Sequence, residues 1–320
     1  MIPTNTIFLN ALVPVFFGLA LGYYAGRRKR IDNKNVTALN VTLMHFLLPC
    51  SLFLAVGRTP RTVLQSESSL LAVLVLVMAV TYAIVYSVER SLLRQPSSEA
   101  AVQALTVSFA NNVAVGLPLL SILYGPSGLL AVAAAILAGV LVISPVTLVL
   151  LECSVVSHST ASTTWLQRLG PALLATLRRP VVLAPLCALG FPLTGHILPA
   201  AAVQTLDLTG KATIGVALFL TGLILSAQPL RIPLGAAFGV LLKNIVQPAI
   251  MFLLLLLFHL HGDIARQAFL ISAIPAGFFG TVFGARYGVS SPDASSTLVL
   301  STVLSIVTLP IAIALSAFIK

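Results

Sequence analysis

The sequence predicts an all-α integral membrane protein with ten transmembrane helices. Hydrophobic residues make up 58% of the chain, charged residues make up 8%, and the mean hydropathy is +1.05. These values lie far outside the range of soluble globular domains. Apolar runs of roughly 20 residues, each long enough to cross about 30 Å of hydrocarbon, recur along the whole chain. Segments such as VLVLVMAV and MFLLLLLF do not alternate apolar and polar residues, so the pattern favours helices over a membrane β-barrel.

The ten predicted spans follow one another with short loops. Their approximate bounds are 5–26, 35–56, 68–89, 101–124, 127–151, 180–198, 205–227, 234–258, 266–287 and 292–318. The first is not a cleaved signal peptide, because its basic cluster follows the apolar run instead of preceding it. The Ser/Thr-rich stretch 153–179 is the predicted cytoplasmic linker between 1–152 and 180–320. Cys50, Cys153 and Cys187 have no paired spacing, so neither a disulfide framework nor a metal site is indicated.

The net charge of +10 reports membrane topology and not a nucleic-acid partner. The basic residues lie in short loops between spans, and such residues concentrate on the cytoplasmic side of a membrane protein. The predicted cytoplasmic ends carry Arg27, Arg28, Lys29, Arg30, Lys34, Arg90, Arg94, Arg168, Arg178, Arg179, Arg231 and Arg286. The opposite ends carry Arg58, Arg61, Lys211, Arg266 and Lys320. Both termini are therefore predicted to face outward, to the periplasm or the extracellular side.

Ten spans divided by a central cytoplasmic linker predict two repeats of five. An odd number of spans in each half inverts the second half relative to the first. The prolines support this duplication: Pro118 and Pro275 interrupt the fourth span of each half, while Pro145 and Pro310 fall in the fifth. Single prolines are common in membrane helices, but matched positions in both halves favour an inverted repeat.

The stretch FANNVAVGLP in span four predicts a broken helix inside the membrane. Pro118 has no amide hydrogen and its ring clashes with the carbonyl four residues earlier, and Gly116 adds flexibility. Span nine repeats the arrangement in AIPAGFFGTVFG, with Pro275 and Gly277 followed by the polar Thr281. Broken backbone is tolerated at that depth only where it is buried in protein or faces a wet cavity. If the two breaks cross, helix N-termini converge there and attract an anion.

Few polar side chains accompany these breaks. Asn111 and Asn112 are neutral groups that either hold a substrate carboxylate or cap the broken backbone. His45 in span two is a candidate ligand or proton carrier, or a hydrogen-bonded packing residue. Lys243 in span eight is predicted to extend its amine to the membrane interface. The acidic residues all fall at span ends or in loops, so no buried carboxylate is expected.

Four segments together resemble the auxin efflux carrier (AEC) family of membrane transporters, essentially from end to end. They are LNVTLMHFLLPCSLFLAVG in span two, NNVAVGLP in span four, LTGKATIGVALFLTGLIL in span seven and IPAGFFGTVFGARYG in span nine. Within that family, DNKNVTALN and GFFG resemble the bacterial malonate transporter branch. Phe278 and Phe279 depart from the family pattern, because many members have an asparagine there. This departure favours a small carboxylate over an auxin-like substrate.

The resemblance implies two inverted five-helix repeats in which broken helices 4 and 9 cross at the substrate site. Helices 1, 2, 6 and 7 would form a scaffold, and helices 3–5 and 8–10 a transport domain, usually in a homodimer. We therefore expect a multi-pass secondary transporter of the bacterial inner membrane that moves a small organic anion, such as a malonate-like dicarboxylate, by an elevator-type mechanism. The predicted substrate-binding residues are His45, Asn111, Asn112, Gly116, Pro118, Pro275, Gly277 and Thr281.

Other functional classes fit the sequence less well. A channel would repeat polar or charged pore-lining residues through its spans. The chain has no HExxH, GxSxG or P-loop motif, so it is not predicted to be an enzyme, to hold a cofactor or to hydrolyse ATP. A sodium-coupled organic anion symporter of the bile-acid type and a weak channel-like facilitator stay open as alternatives. The expected absence of a buried carboxylate favours coupling to the substrate gradient, the membrane potential or protons over coupling to sodium.

Overall fold

A computed structural model of the protein describes residues 4–33, 35–58, 61–156, 174, 177–227 and 232–319. These residues are all helical apart from turns and loops, with one isolated antiparallel β-bridge and no strand among them. The predicted all-helical class is therefore confirmed. Most of the predicted linker 153–179 lies outside the described residues, as do Arg168 and Arg231.

The helices follow the predicted spans, and several spans consist of more than one helix. In the first half of the chain the α-helices are Thr4–Arg27, Thr37–Thr42, Leu48–Gly57, Arg61–Ser91, Ser97–Ser108, Leu117–Tyr124, Pro126–Ala138 and Ser144–Val156. In the second half they are Pro180–Ala188, Gly190–Thr194, Ala200–Ala227, Leu234–Leu241, Gln247–Leu257, Gly262–Ala273, Phe279–Arg286 and Pro292–Ser316.

Several of these segments are long and apolar enough to cross a membrane. Within the described part of the chain there are six: Thr37–Gly57, Ser68–Ser91, Pro126–Leu151, Ala200–Ala227, Leu234–Leu257 and Pro292–Ser316. Asn112–Tyr124 and Pro180–Thr194 are shorter apolar helices. The chain is thus a multi-pass membrane protein, while the count of ten spans and their inverted arrangement stay predictions.

Prolines explain four π-helical turns in the described chain. Each turn ends two residues before a proline: Leu43–Leu47 before Pro49, Asn112–Gly116 before Pro118, Gly139–Ile143 before Pro145 and Leu242–Val246 before Pro248. A proline ring collides with the carbonyl four residues earlier and cannot donate to it. Widening the preceding turn to the π pattern moves that carbonyl aside, so the helix continues past the proline.

The backbone contacts divide the chain into two compact units. The first comprises Met1–Leu71, Asn112–Ile136 and Arg178–Gln228, and the second comprises Ala72–Asn111, Leu137–Leu177 and Pro229–Lys320. Spans one, two, six and seven belong to the first unit, and spans eight, nine and ten belong to the second. The assignment of scaffold and transport helices stays a prediction.

The first unit is organised around the close packing of Thr4–Arg27 against Ala200–Ala227. Glycines allow this approach. A Cβ added at Gly22 would lie 2.0 Å from the carbonyl oxygen of Phe219, and one added at Gly222 would lie 2.0 Å from that of Leu19. Small residues of this kind let membrane helices pack backbone to backbone, where lipid supplies no hydrophobic driving force.

Candidate functional site at two broken helices

In the second unit, two helices stop inside the protein and pair their free backbone groups with each other. Ser97–Ser108 ends at the extended Phe109, and Gly262–Ala273 ends at the extended Ile274. Ala110 and Ala276 then form an antiparallel bridge. The amide of Asn111 donates to the carbonyl of Pro275 over 2.9 Å. This exchange satisfies backbone groups that a continuous helix would have paired internally, as burial in an apolar environment requires.

Glycine residues permit the close approach of these two segments. The amide of Gly277 donates to the carbonyl of Thr106 over 3.1 Å. A Cβ at Gly277 would lie 2.2 Å from the carbonyl oxygen of Phe109, and a Cβ at Gly280 would lie 2.4 Å from that of Val102. Any larger side chain would have to displace main chain at both places. The glycines of AIPAGFFGTVFG therefore allow the two backbones to touch, in addition to making the chain flexible.

The two prolines have different roles, which corrects the expectation that Pro118 breaks span four. Pro275 lies within the break of span nine, and Ile274 before it is extended, as the steric demand of a following proline favours. The break of span four lies at 109–111, well before Pro118. Pro118 instead sits in the first turn of Leu117–Tyr124, where the π turn accommodates it.

Aromatic rings pack beside the paired backbone. The rings of Phe109 and Phe279 stack with centroids 4.9 Å apart, and those of Phe278 and Phe279 stack at 5.0 Å. Gly139 faces the ring of Phe109, which a Cβ there would approach to 2.6 Å. Phe278 and Phe279 are thus buried packing residues and do not face lipid. They fill space on one side of the breaks with apolar surface.

Span eight supplies buried polar side chains to the ends of both broken helices. Lys243 is completely buried, and its ammonium donates to the side-chain oxygen of Gln247 and, over 3.3 Å, to the carbonyl of Ser272. The Gln247 amide donates over 3.0 Å to the carbonyl of Ser108. Ser108 and Ser272 each stand in the last turn before a break. One lysine–glutamine pair therefore contacts the C-terminal end of each half-helix.

A second polar chain reaches the break of span nine from span ten. The amide of Ala276 donates to the hydroxyl of Ser301 over 3.0 Å, and that hydroxyl donates to the Asn244 side-chain oxygen over 2.6 Å. The Asn244 amide donates in turn to the Ser301 carbonyl and to the Thr308 hydroxyl, each over 3.2 Å. These buried bonds hold the broken segment in one position.

The predicted asparagines are both buried, each with about 1% of its surface exposed. Asn111 belongs to the second unit, where its backbone amide donates to the carbonyl of Pro275. Asn112, the next residue along the chain, begins the π turn of the first unit. Neither polar atom of its side-chain amide has a hydrogen-bond partner among the described residues. The Asn112 amide therefore does not cap the broken backbone in the described part of the chain.

The remaining predicted site residues are dispersed. Gly116 is the last residue of the π turn, and Pro118 is the second residue of Leu117–Tyr124. Both are buried in the first unit. Thr281 lies in Phe279–Arg286, where its hydroxyl donates to the Phe278 carbonyl over 2.8 Å. His45 is exposed in the π turn of span two, so its part in substrate binding stays a prediction.

Two sequence expectations about ionisable groups were wrong. Lys243 does not extend to the interface, because it is enclosed by protein. Carboxylates are also buried: Glu89 is 1% exposed and Asp293 is 8% exposed, at helix ends of the second unit. Burial, and then the negative charge of Asp293, raise the pKa of the nearby Glu99 carboxyl.

Sequence reasoning missed Asn244, Gln247 and Ser301 as parts of this region. The sequence LLKNIVQP contained a signal, because three polar residues lie close together before a proline in an otherwise apolar span. Their spacing places Lys243 and Gln247 one helical turn apart on the same face. Polar residues in such a span are expected to face protein or water and not lipid.

Comparison with known proteins finds similarity along nearly the whole chain. The family model described as “Membrane transport protein” matches residues 7–313. The “Uncharacterized transporter YfdV” of Escherichia coli (strain K12) is 28% identical over 318 residues, covering 98% of this chain and 99% of that protein. The “Putative malonate transporter” of Rhizobium meliloti (strain 1021) is 27% identical over 94% of this chain and 93% of its own length. “Auxin efflux carrier component 4” of Arabidopsis thaliana is 31% identical over 34% of this chain and 18% of its own length.

Proposed function

Because the chain belongs to the auxin efflux carrier family of membrane transport proteins, we propose that it is a secondary transporter of a small organic anion. The substrate class is a malonate-like dicarboxylate or another small carboxylate. The alignment with the relative named for malonate transport covers nearly the full length of both chains, which supports this substrate class. The two phenylalanines next to the break, Phe278 and Phe279, also support this class. Their stacked rings carry no amide that could bind a larger substrate.

The paired break of two helices within the second unit carries this proposal. A membrane protein tolerates interrupted backbone at depth where it is buried in protein or lines a wet cavity, and a carrier needs a binding site near the middle of the membrane. The break is surrounded by buried amides, hydroxyls and one ammonium group. These groups are hydrogen-bond donors, which suit a carboxylate.

In this proposal the substrate lies at the crossing of spans four and nine. Asn111, Pro275 and Gly277 form the paired backbone, and Asn112 follows directly in the chain. The fold is taken as ten spans in two inverted repeats, in an inner-membrane homodimer that moves substrate by an elevator-type motion. Coupling is assigned to the substrate gradient, the membrane potential or protons. The alternative is a sodium-coupled symporter of the same architecture, which measurements with and without sodium distinguish from this proposal.

A ligand screen on the purified protein tests the substrate class. Melting temperature is measured with malonate, other dicarboxylates, monocarboxylates and the neutral analogue malonamide. A ligand present at a hundred times its dissociation constant should add about 2.7 kcal/mol to the free energy of unfolding. We expect stabilisation by at least one small carboxylate and none by malonamide. If no carboxylate stabilises the protein, with or without sodium, the proposal fails.

Asparagine variants test the site itself. If the Asn112 amide holds a carboxylate, Asn112→Ala should weaken binding by about 1 to 3 kcal/mol, the range for a hydrogen bond to a charged group. Asn112→Asp should be worse, because it sets a negative charge against an anion in a low dielectric. The same pair of changes is made at Asn111, and Gln204→Ala, which removes an exposed side-chain amide of the first unit, serves as the control. Lowered stability with unchanged affinity in all four site variants would show that the amides are structural.

A further inference from the structure

Lys243 places an ionisable amine in the interior of the second unit. Its side chain is completely buried although it lies in an apolar span, between Leu242 and Asn244 in a π turn. A lysine in this position can usually place its ammonium in water at the membrane interface. Here the ammonium instead reaches inward to the last turn of Gly262–Ala273, where it donates to the Ser272 carbonyl.

The acceptors around this ammonium are neutral. They are the side-chain oxygen of Gln247 and the carbonyl of Ser272. No acidic side chain pairs with Lys243 in the part of the chain whose side chains the structure describes. An ammonium group has three donors, and these two acceptors can take two of them. A buried charge without a partner of opposite sign is strongly unfavourable.

Lys211 shows the contrasting arrangement in the first unit. Its ammonium lies 2.6 Å from the carboxylate of Asp207 on an exposed helix surface, four residues away along the same helix. The lysine that is exposed to water is therefore paired with a carboxylate. The lysine that is enclosed has neutral neighbours.

The position of Lys243 relates it to both helix breaks. Its partner Gln247 donates to the carbonyl of Ser108, directly before the break at 109–111. Lys243 itself donates to the carbonyl of Ser272, two residues before the extended Ile274. An anion held at the paired backbone would be close to the one cation that the described side chains place there. Such an anion would supply the missing negative charge.

We infer that Lys243 is the positive charge that recognises the carboxylate of the transported anion. This inference rests on the proposed function and deepens it, because it names the group that would discriminate an anion from a neutral molecule of the same shape. The side-chain amides of Asn111 and Asn112 are neutral groups, which bind amides and carboxylates alike. A fixed charge in a low dielectric favours the carboxylate.

A purely structural role makes a different prediction. A cation near the last carbonyls of a helix stabilises that end, so Lys243 would then act only on the half-helix Gly262–Ala273. In that case its replacement lowers stability and leaves the affinity for anions unchanged. The two roles therefore differ in binding and not in melting temperature alone.

The test compares Lys243→Gln with Lys211→Gln in the full-length purified protein. Glutamine keeps an N–H donor for the Ser272 carbonyl and removes the charge, while Lys211→Gln removes one charge from an exposed pair. Affinity for malonate is measured by calorimetry, with malonamide as the neutral probe. We expect Lys243→Gln to bind malonate about ten- to a hundredfold more weakly, the factor that corresponds to loss of a hydrogen bond to a charged group. Lys211→Gln should bind malonate like the wild type.

A second variant covers the case in which Lys243→Gln does not fold. Gln247→Glu places a carboxylate where the Gln247 oxygen already accepts from Lys243, so it gives the ammonium an internal counter-charge. We expect this variant also to lose malonate affinity. It also removes the amide that donates to the Ser108 carbonyl, so Gln247→Met, which removes that amide without adding a charge, is its control and should bind malonate more tightly than Gln247→Glu. Wild-type affinity in folded Lys243→Gln or Gln247→Glu overturns the inference while the proposed function stands. A wild-type protein that binds neither malonate nor any other small carboxylate overturns both.

Discussion

The helix pair of the first unit and the broken helices of the second solve the same packing problem in opposite ways. Thr4–Arg27 and Ala200–Ala227 stay continuous and touch through glycines, so their backbone groups remain bonded within each helix. The breaks at 109–111 and 274–278 give up helical bonds and recover them from each other and from span eight. Both arrangements need small residues at the contact, and the second also needs polar side chains.

The difference supports the proposal that the second unit holds the binding site. Continuous helices joined by close packing need no polar group from outside, so they suit a rigid support. Interrupted helices depend on buried amides, hydroxyls and a lysine, which are costly in an apolar interior unless they are paired. The presence of such groups favours a functional role for the second unit.

The largest effect is expected at the glycine that lets the two breaks meet. Gly277→Ala puts a Cβ against the carbonyl of Phe109, so the paired backbone must separate and its buried bonds are lost. We expect a loss of roughly 3 kcal/mol or more of unfolding free energy, together with loss of anion binding. Gly190→Ala is the matched control, because a Cβ there meets no atom within 4 Å. A Gly277→Ala protein that melts and binds like the wild type would refute the close approach.

A glycine of the first unit should give a smaller loss and a different pattern. Gly222→Ala forces the helix pair apart at the Leu19 carbonyl, at an expected cost of about 1 to 3 kcal/mol for overpacking. Gly215→Ala in the same helix meets open space and should be neutral or slightly stabilising. Anion affinity, measured on folded protein, should be unchanged in both variants. A drop in affinity equal to that of Gly277→Ala would remove the functional distinction between the two arrangements.

A loss no larger than that of Gly222→Ala is expected from the polar chain behind span nine. Ser301→Ala removes the hydroxyl that accepts from the Ala276 amide and donates to Asn244. Leaving these buried groups unsatisfied should cost about 1 to 3 kcal/mol of unfolding free energy. Ser295→Ala, earlier in the same helix and only half-buried, should change melting temperature little. Equal melting temperatures for the two variants would mean that the chain contributes nothing to the position of the break.

The sequence predicts the broad architecture better than the details of the site. Hydropathy identifies the helices because crossing lipid demands long apolar segments, and Pro275 marks the break in span nine because proline cannot continue the bonding pattern. Pro118 misleads, since a π turn absorbs its effect and the actual break depends on partners distant in sequence. The burial of Lys243 and Glu89 was missed because hydropathy does not report which way a side chain points or what encloses it.

Malonate uptake into proteoliposomes without a sodium gradient tests the proposed transport function. We expect wild-type protein to accumulate labelled malonate above protein-free vesicles, and unlabelled malonate to compete while malonamide does not. Uptake should persist when sodium is replaced by choline. Strict dependence on sodium would contradict the proposed coupling and favour the sodium-coupled alternative. Absence of uptake for malonate and every other small carboxylate, in protein that is folded by its melting curve, would contradict the account as a whole.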